Sequence, residues 1–250
     1  MIVLSNVRKK FGEQVVLGGV NFEVREGETV ALLGPSGSGK SVLLKHINGL
    51  LHPDSGSVVV DGLEVPSLSR QQLAELRTRI GYVFQNGALF DSMDVFENIR
   101  LGISDERKYR DMEYAEQRVP ECLRLVNLSP DTMKKFPAQL SGGMRKRVGI
   151  ARAIAGAPKY LLYDEPTSGL DPVNADVIDE LVMRLEGELG ITSVMVTHDV
   201  RGAFRVADRL ALLYDSTIVL EAPPEEFRQS ADPRVRAFLE RDFDSTSFAA

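Results

Sequence analysis

Cysteine occurs once in these 250 residues, histidine three times, and no stretch of the chain is both long and apolar. The lone Cys122 cannot form an internal disulfide, and no Cys/His cluster has zinc-ligand spacing. These absences exclude a disulfide-stapled secreted domain and a structural zinc site; they fit a reducing compartment, with Cys122 as inert packing. The N-terminal MIVLSNVRKKFGE lacks the apolar core of about 7 to 15 residues that marks a signal peptide. No window approaches the roughly 18 consecutive apolar residues of a membrane helix, so a cytosolic chain that does not itself cross a membrane is expected. A basic excess is missing too: 30 Lys and Arg stand against 36 Asp and Glu, for a net charge of -6. That balance supplies no broad phosphate-neutralising surface, and no nucleic-acid partner is expected.

What is present suffices for a real core. At 43% hydrophobic residues, the chain can build one large α/β domain or two modest ones. The segment from Ile2 to Leu33 is rich in short β-type runs, and Glu28 to Leu33 reads as a buried strand ending at glycine. A helix is expected from Gly39 to about Leu50, a strand over Ser57 to Val60 before the Asp61-Gly62 turn, a helix over Arg70 to Thr78, and a strand over Ile80 to Phe84.

From about Asn86 to Pro158 the β signal nearly vanishes. Met112, Ala115, Val119, Cys122, Leu123 and Val126 recur at helical spacing, which predicts an inserted helical subdomain. Pro120 interrupts the pattern and either starts a second helix or kinks the first. Beyond it, Lys159 to Tyr163, Ile191 to Val196 and Leu210 to Tyr214 read as strands, with helices near Val173 to Leu189 and Val200 to Ala207. This alternation argues for a parallel sheet covered on both faces. No internal repeat is visible, and Arg241 to Ala250, small, polar and aperiodic, reads as a mobile tail.

Gly34-Pro35-Ser36-Gly37-Ser38-Gly39-Lys40-Ser41 fits the phosphate-loop pattern G-x-x-x-x-G-K-[ST], between an apolar strand and a helical run as that motif requires. Glycines let successive N–H groups curl around a polyphosphate, the helix N-terminus adds a favourable dipole, and Lys40 reaches the β- and γ-phosphates. Ser41 can ligate Mg²⁺. The strand Tyr160 to Tyr163 runs into two acids, Asp164 and Glu165. An acid at such a strand end holds Mg²⁺, the role expected of Asp164. Glu165 projects differently and can take a proton from an attacking water, which favours hydrolysis over mere binding of ATP.

Leu140-Ser141-Gly142-Gly143-Met144 is a second serine-glycine turn opening a helix, hence a second place suited to phosphate. One ATP does not need two such cradles. Two chains packed head to tail would resolve this, the second cradle of one closing over the γ-phosphate held by the phosphate loop of the other.

With these motifs in hand, the sequence resembles the ABC ATPase family over almost its whole length, LSGGM standing where the family signature LSGGQ lies. Phe11 resembles the adenine-stacking aromatic, Gln85 the Q-loop glutamine, Ser168-Gly169-Leu170-Asp171 the D-loop, and His198 the switch histidine. The resemblance implies a P-loop NTPase core of RecA-like type with an antiparallel β subdomain and an inserted helical subdomain. It also implies that Ser141, Gly142 and Gly143 act in trans on the partner's nucleotide, that Asp171 is the D-loop acid, that Gln85 joins Ser41 and Asp164 at the metal, and that Gln85 couples nucleotide state to a membrane subunit. Taken alone, His198 reads as a loop residue at a strand end, Phe11 as core packing, and His46 and His52 as structural or surface residues. Met144 departs from the family, a thioether replacing an amide that could donate and accept.

Within that family, residues 86 to 99 joined to LSGGMRKRVGIARAI resemble the Mla or MCE-type lipid-transport ATPases. A plain amphipathic helix with Val95, Phe96 and Ile99 packed inward would account for the first stretch equally. Ala231 to Leu239 resembles a terminal segment of the same subfamily, where it would touch a partner ATPase or a small regulatory subunit. The spacing of Val235, Phe238 and Leu239 also suits an ordinary surface helix.

The resemblance implies an ATP-hydrolysing subunit with ATP and Mg²⁺ as ligands, peripheral on the cytoplasmic face of the inner membrane. It would dimerise on ATP and drive phospholipid transport through a separate permease, with a lipid-binding MCE protein as a further partner. Signalling through a membrane partner to cell-wall enzymes, or transport of another substrate, is the alternative. Residues 1–240 are expected to form a single ATPase domain, with 1–85 and 159–222 as nucleotide-binding core and 86–158 as helical subdomain; 223–250 would be a C-terminal helical segment with its tail.

Overall fold

A computed structural model of the protein describes residues 1–244, with side chains described through residue 240. In chain order the strands and helices are β1 (Ile2–Phe11), β2 (Gln14–Val24), β3 (Thr29–Leu33), α1 (Lys40–Ile47), β4 (Ser55–Val60), β5 (Leu63–Glu64) and α2 (Arg70–Thr78). Then come β6 (Ile80–Val83), α3 (Val95–Arg100), α4 (Glu106–Arg110), α5 (Met112–Leu125), α6 (Gly142–Ile154), β7 (Tyr160–Asp164) and α7 (Pro172–Leu189). The chain closes with β8 (Thr192–Val196), α8 (Val200–Val206), β9 (Arg209–Tyr214), β10 (Thr217–Ala222), α9 (Pro224–Arg228) and α10 (Pro233–Asp244). It divides into two compact units, Met1–Leu73 with Thr192–Ala250, and Ala74–Ile191.

The first unit holds two sheet regions. The order β2-β1-β4-β5 is antiparallel throughout, the expected antiparallel β element. In the other region β3 lies between β9 and β8, parallel to both, and β10 pairs antiparallel with β9. All five residues of β3 and all five of β8 are buried, as strands covered on both faces must be. On α1, Leu43, Leu44 and Ile47 are buried, and Gly49, at φ 67, ends the helix short of the expected Leu50. On α10, Val235, Phe238 and Leu239 are buried within the chain itself, the one-sided face read from their spacing. The expected mobile tail splits: residues 241–244 belong to α10, and the remaining six lie outside the described residues.

The second unit carries the parallel pair β6 and β7 and, between them, only helices and turns. Pro120 neither starts nor ends a helix: α5 runs through it. The ring removes a hydrogen bond to the carbonyl of Glu116, an exposed residue whose carbonyl water can serve, while Ala115, Val119, Cys122 and Leu123 bury the opposite face. Burial pushes the Cys122 thiol up to about 11, consistent with inert packing. Residues 86–94 are not helical. Gly87 and Ala88 have φ of 73 and 47, and the buried Asn98 side chain ties the loop down, accepting from Phe90 N at 2.8 Å and donating to the carbonyls of Phe90, Met93 and Asp94. The helix begins only at Val95, after a capping box between Asp94 and Glu97, with Val95 and Ile99 buried and Phe96 half-buried. Among the described residues, no helix is long and apolar enough to cross a membrane.

Candidate functional site

In the first unit, the loop from Gly34 to Gly39 joins β3 to α1. Only glycine can hold two of its corners: at Gly34 (φ 154) an added Cβ would lie 2.4 Å from the Leu213 carbonyl oxygen, and at Gly39 (φ 105) it would lie 2.8 Å from Val16. Lys40, 6% exposed, folds back over the loop, its ammonium donating to the carbonyls of Gly34 at 2.7 Å and Pro35 at 3.1 Å. Ser38 Oγ is buried with no hydrogen-bond partner. Such an orphan costs about 1–3 kcal/mol unless something completes it. A phosphate oxygen in the loop is the natural acceptor, so the residues fit a polyphosphate.

Parallel pairing of Leu32 with Val196 brings the end of β8 beside the end of β3, and Thr197 N donates to Leu32 O. His198 follows and is exposed, while Asp199 caps α8. Both loops leave the carboxyl ends of adjacent parallel strands, where ligands bind open α/β sheets. Phe11 closes the β1–β2 hairpin, 47% exposed, with Lys9 Nζ 5.6 Å from its ring centroid. It is a surface aromatic free to stack, not core packing. His46 by contrast is fully buried on α1, its Nδ1 2.7 Å from the Val42 carbonyl.

In the second unit, parallel pairing of Val83 with Tyr163 brings Gln85 and the acids Asp164 and Glu165 out at the same end. Gln85 Nε2 donates to Ser168 Oγ at 3.2 Å. Tyr82 OH donates to Asp164 Oδ2 at 2.9 Å, and burial together with that carboxylate pushes the phenol up, so it keeps its proton. Glu165 has φ 52, a costly conformation for a non-glycine residue. Its carbonyl accepts from Ser168 N at 3.2 Å and from Lys146 Nζ at 3.4 Å, which over-determines the strained peptide. Among the described residues no three His, Cys, Asp or Glu side chains cluster as a metal site. Mg²⁺ commonly takes only one or two protein oxygens beside substrate phosphates and water, and the carboxylate of Asp164 is a hard oxygen donor of that kind.

Ser141 caps α6, its Oγ accepting from Met144 N at 3.2 Å; Ser141 and Gly142 are exposed and Gly143 is buried. A Cβ on Gly143 would come within 2.8 Å of Asn174 Oδ1. Asp171 caps α7, accepting from Asn174 N at 3.1 Å and from Asn174 Nδ2 at 2.7 Å, bonds that hold its carboxyl below the usual range. Tyr82 belongs to no motif that the sequence announces, and Arg152 lies in the LSGGMRKRVGIARAI stretch without a role read for it there. Arg152 donates to the carbonyls of Ala88 at 2.7 Å and Gly87 at 2.8 Å, anchoring the loop after Gln85. The expected residues thus divide: Phe11, residues 34–41 and His198 belong to the first unit, and Gln85, Ser141 to Gly143, Asp164, Glu165 and Asp171 to the second.

A glycine-cornered loop between a parallel strand and a helix, with a buried lysine and an unsatisfied serine, defines a P-loop nucleotide-binding protein. The family model described as ABC transporter matches residues 17–168. The chain belongs to the ABC transporter family, as an ATP-binding and ATP-hydrolysing cassette. It is 41% identical to the probable ribonucleotide transport ATP-binding protein mkl of Mycobacterium leprae, over 95% of this chain and 68% of that protein. It is 37% identical to the intermembrane phospholipid transport system ATP-binding protein MlaF of Haemophilus influenzae, over 98% of this chain and 92% of that protein. A solved dimeric ATP-binding cassette in a post-hydrolysis state, bound to ADP and phosphate, superposes with a TM-score of 0.82 at 37% identity, covering 90% of this chain and 99% of that one.

Proposed function

We propose that this ATPase drives phospholipid transport through a separate membrane permease in an Mla or MCE-type system, working as an ATP-bound dimer on the cytoplasmic face of the inner membrane. The observation that carries the reading is the similarity to the phospholipid transport protein MlaF across nearly the full length of both chains. A second reading, transport of another substrate, is favoured by the similarity to a protein named for ribonucleotide transport. Partners in the first reading are a second copy of the chain, the permease, a lipid-binding MCE protein and a small regulatory subunit.

Residues 1–85 and 159–222 serve as nucleotide-binding core and 86–158 as helical subdomain of one ATPase domain spanning 1–240. Phe11 stacks on adenine, and residues 34–41 wrap the phosphates, with Lys40 on the β- and γ-oxygens. Ser41, Asp164 and Gln85 would hold Mg²⁺, which would supply positive charge to offset that of the phosphates. Glu165 takes the proton of the water that attacks the γ-phosphorus, giving ADP and phosphate. His198 contacts the γ-phosphate, while Ser141, Gly142, Gly143 and Asp171 serve the partner's nucleotide. Isolating the chain with its membrane partners and identifying bound lipids by mass spectrometry tests the cargo. Phospholipid retained stoichiometrically is expected; a complex that is lipid-free but retains ribonucleotide at a transport site would sink the lipid reading.

A further inference from the structure

We propose that Tyr82 is a positioning residue for Asp164, holding that carboxylate in the orientation from which it serves Mg²⁺. The inference rests on the metal role proposed for Asp164. On β6, Tyr82 stands opposite Leu162 of β7, and Asp164 lies two residues beyond Leu162, on the same face of the pair. The phenol leans along the strands towards their carboxyl ends and donates to Asp164 Oδ2 at 2.9 Å. Its ring is half-buried and packs against Phe84, centroid to centroid 4.5 Å, so the donor arrives from a fixed direction.

A carboxylate at a strand end has several rotamers open to it, and only some aim its oxygens at a metal. A hydrogen bond from a neutral hydroxyl to an ionised oxygen is among the stronger kinds, and here the β6–β7 ladder fixes the backbone at both ends. The same strand end makes a second contact, from Gln85 to Ser168, so the turn that follows β7 is held at two points. A phenylalanine at position 82 would keep the ring packing and remove only the donor. That selectivity separates a role in orienting Asp164 from a role in packing.

The test compares the affinity of the purified chain for a fluorescent, non-hydrolysable ATP analogue in EDTA and in Mg²⁺, the ratio reporting what the metal adds. For Tyr82→Phe the affinity in EDTA should match the unaltered chain, and the ratio should fall about tenfold, the lower end of what loss of a hydrogen-bond partner to a ligating carboxylate costs. Asp164→Asn, measured alongside, should lose the gain from Mg²⁺ altogether. If Asp164→Asn keeps the full ratio, the metal role of Asp164 fails and the proposal falls with it. If Asp164→Asn loses the ratio but Tyr82→Phe keeps it, the proposal alone is overturned. Equal weakening of Tyr82→Phe with and without Mg²⁺ would also overturn it, making Tyr82 a packing residue.

Discussion

The loop of residues 34–41 and the turn of residues 140–144 are both glycine-bearing helix N-termini, yet they differ in what they hold ready. In the first, the Lys40 ammonium lies buried over the loop, donating to the Gly34 carbonyl, and Ser38 Oγ has no hydrogen-bond partner, a set of groups suited to an anion. In the second, Ser141 Oγ already accepts from Met144 N, and Ser141 and Gly142 lie exposed. The first carries its phosphate-binding groups within one chain, a cradle, and the second, in the function proposed above, closes over a partner's nucleotide as a lid. Motif resemblance expects both at phosphate, whereas their side chains differ in burial and in hydrogen bonding.

Perturbations should separate the two regions, beginning with the chemistry they jointly serve. Glu165→Gln should lower turnover by roughly 10²–10⁴-fold, the usual worth of a positioned base, while a binding titration finds ATP affinity retained and size-exclusion finds a trapped dimer. Lys40→Ala should weaken ATP binding by about 100-fold, since truncating one partner of a buried charged contact costs about 2–5 kcal/mol. Ser141→Arg should leave the affinity of the isolated chain unchanged, and a comparable loss there would erase the distinction between cradle and lid. Ser38→Ala should cost about fivefold in affinity, the net worth of one hydrogen bond near 1 kcal/mol, whereas Ser141→Ala should cost none of it in the isolated chain.

The smallest effect concerns His46, which lies on α1 behind the cradle. Burial holds its pKa below 6.5, with Lys9 reinforcing that direction and the Val42 carbonyl and Asp54 opposing it. The unfolded chain therefore binds the extra proton more readily. His46 contributes its full stability above about pH 6.5, and the contribution is lost as pH falls from there through the lower folded value. Denaturant titrations between pH 7 and 5 should show this decline, and His46→Leu should flatten it.

Much of the fold and of the site is legible in the amino-acid sequence. The helix over Arg70–Thr78 and the strand leading into Asp164 follow from periodicity, and the phosphate loop from its motif. Pro120 does not start a second helix because one missing hydrogen bond at an exposed carbonyl is tolerated when the other face of α5 is buried. The loop before α3 has no readable pattern because Asn98, a buried amide with four backbone partners, organises it from across the turn. Tyr82 leaves no local signal for a similar reason: its partner is 82 residues away and becomes visible only with the register of β6 on β7.

That the cradle of one chain is completed by the lid of another is tested most directly by mixing two inactive chains. A Lys40→Ala chain and a Ser141→Arg chain, each inactive alone, should regain up to about a quarter of normal turnover when combined, because half the dimers are mixed and each has one intact composite site. A mixture as inactive as its components, or full turnover by the Ser141→Arg chain alone, would contradict it.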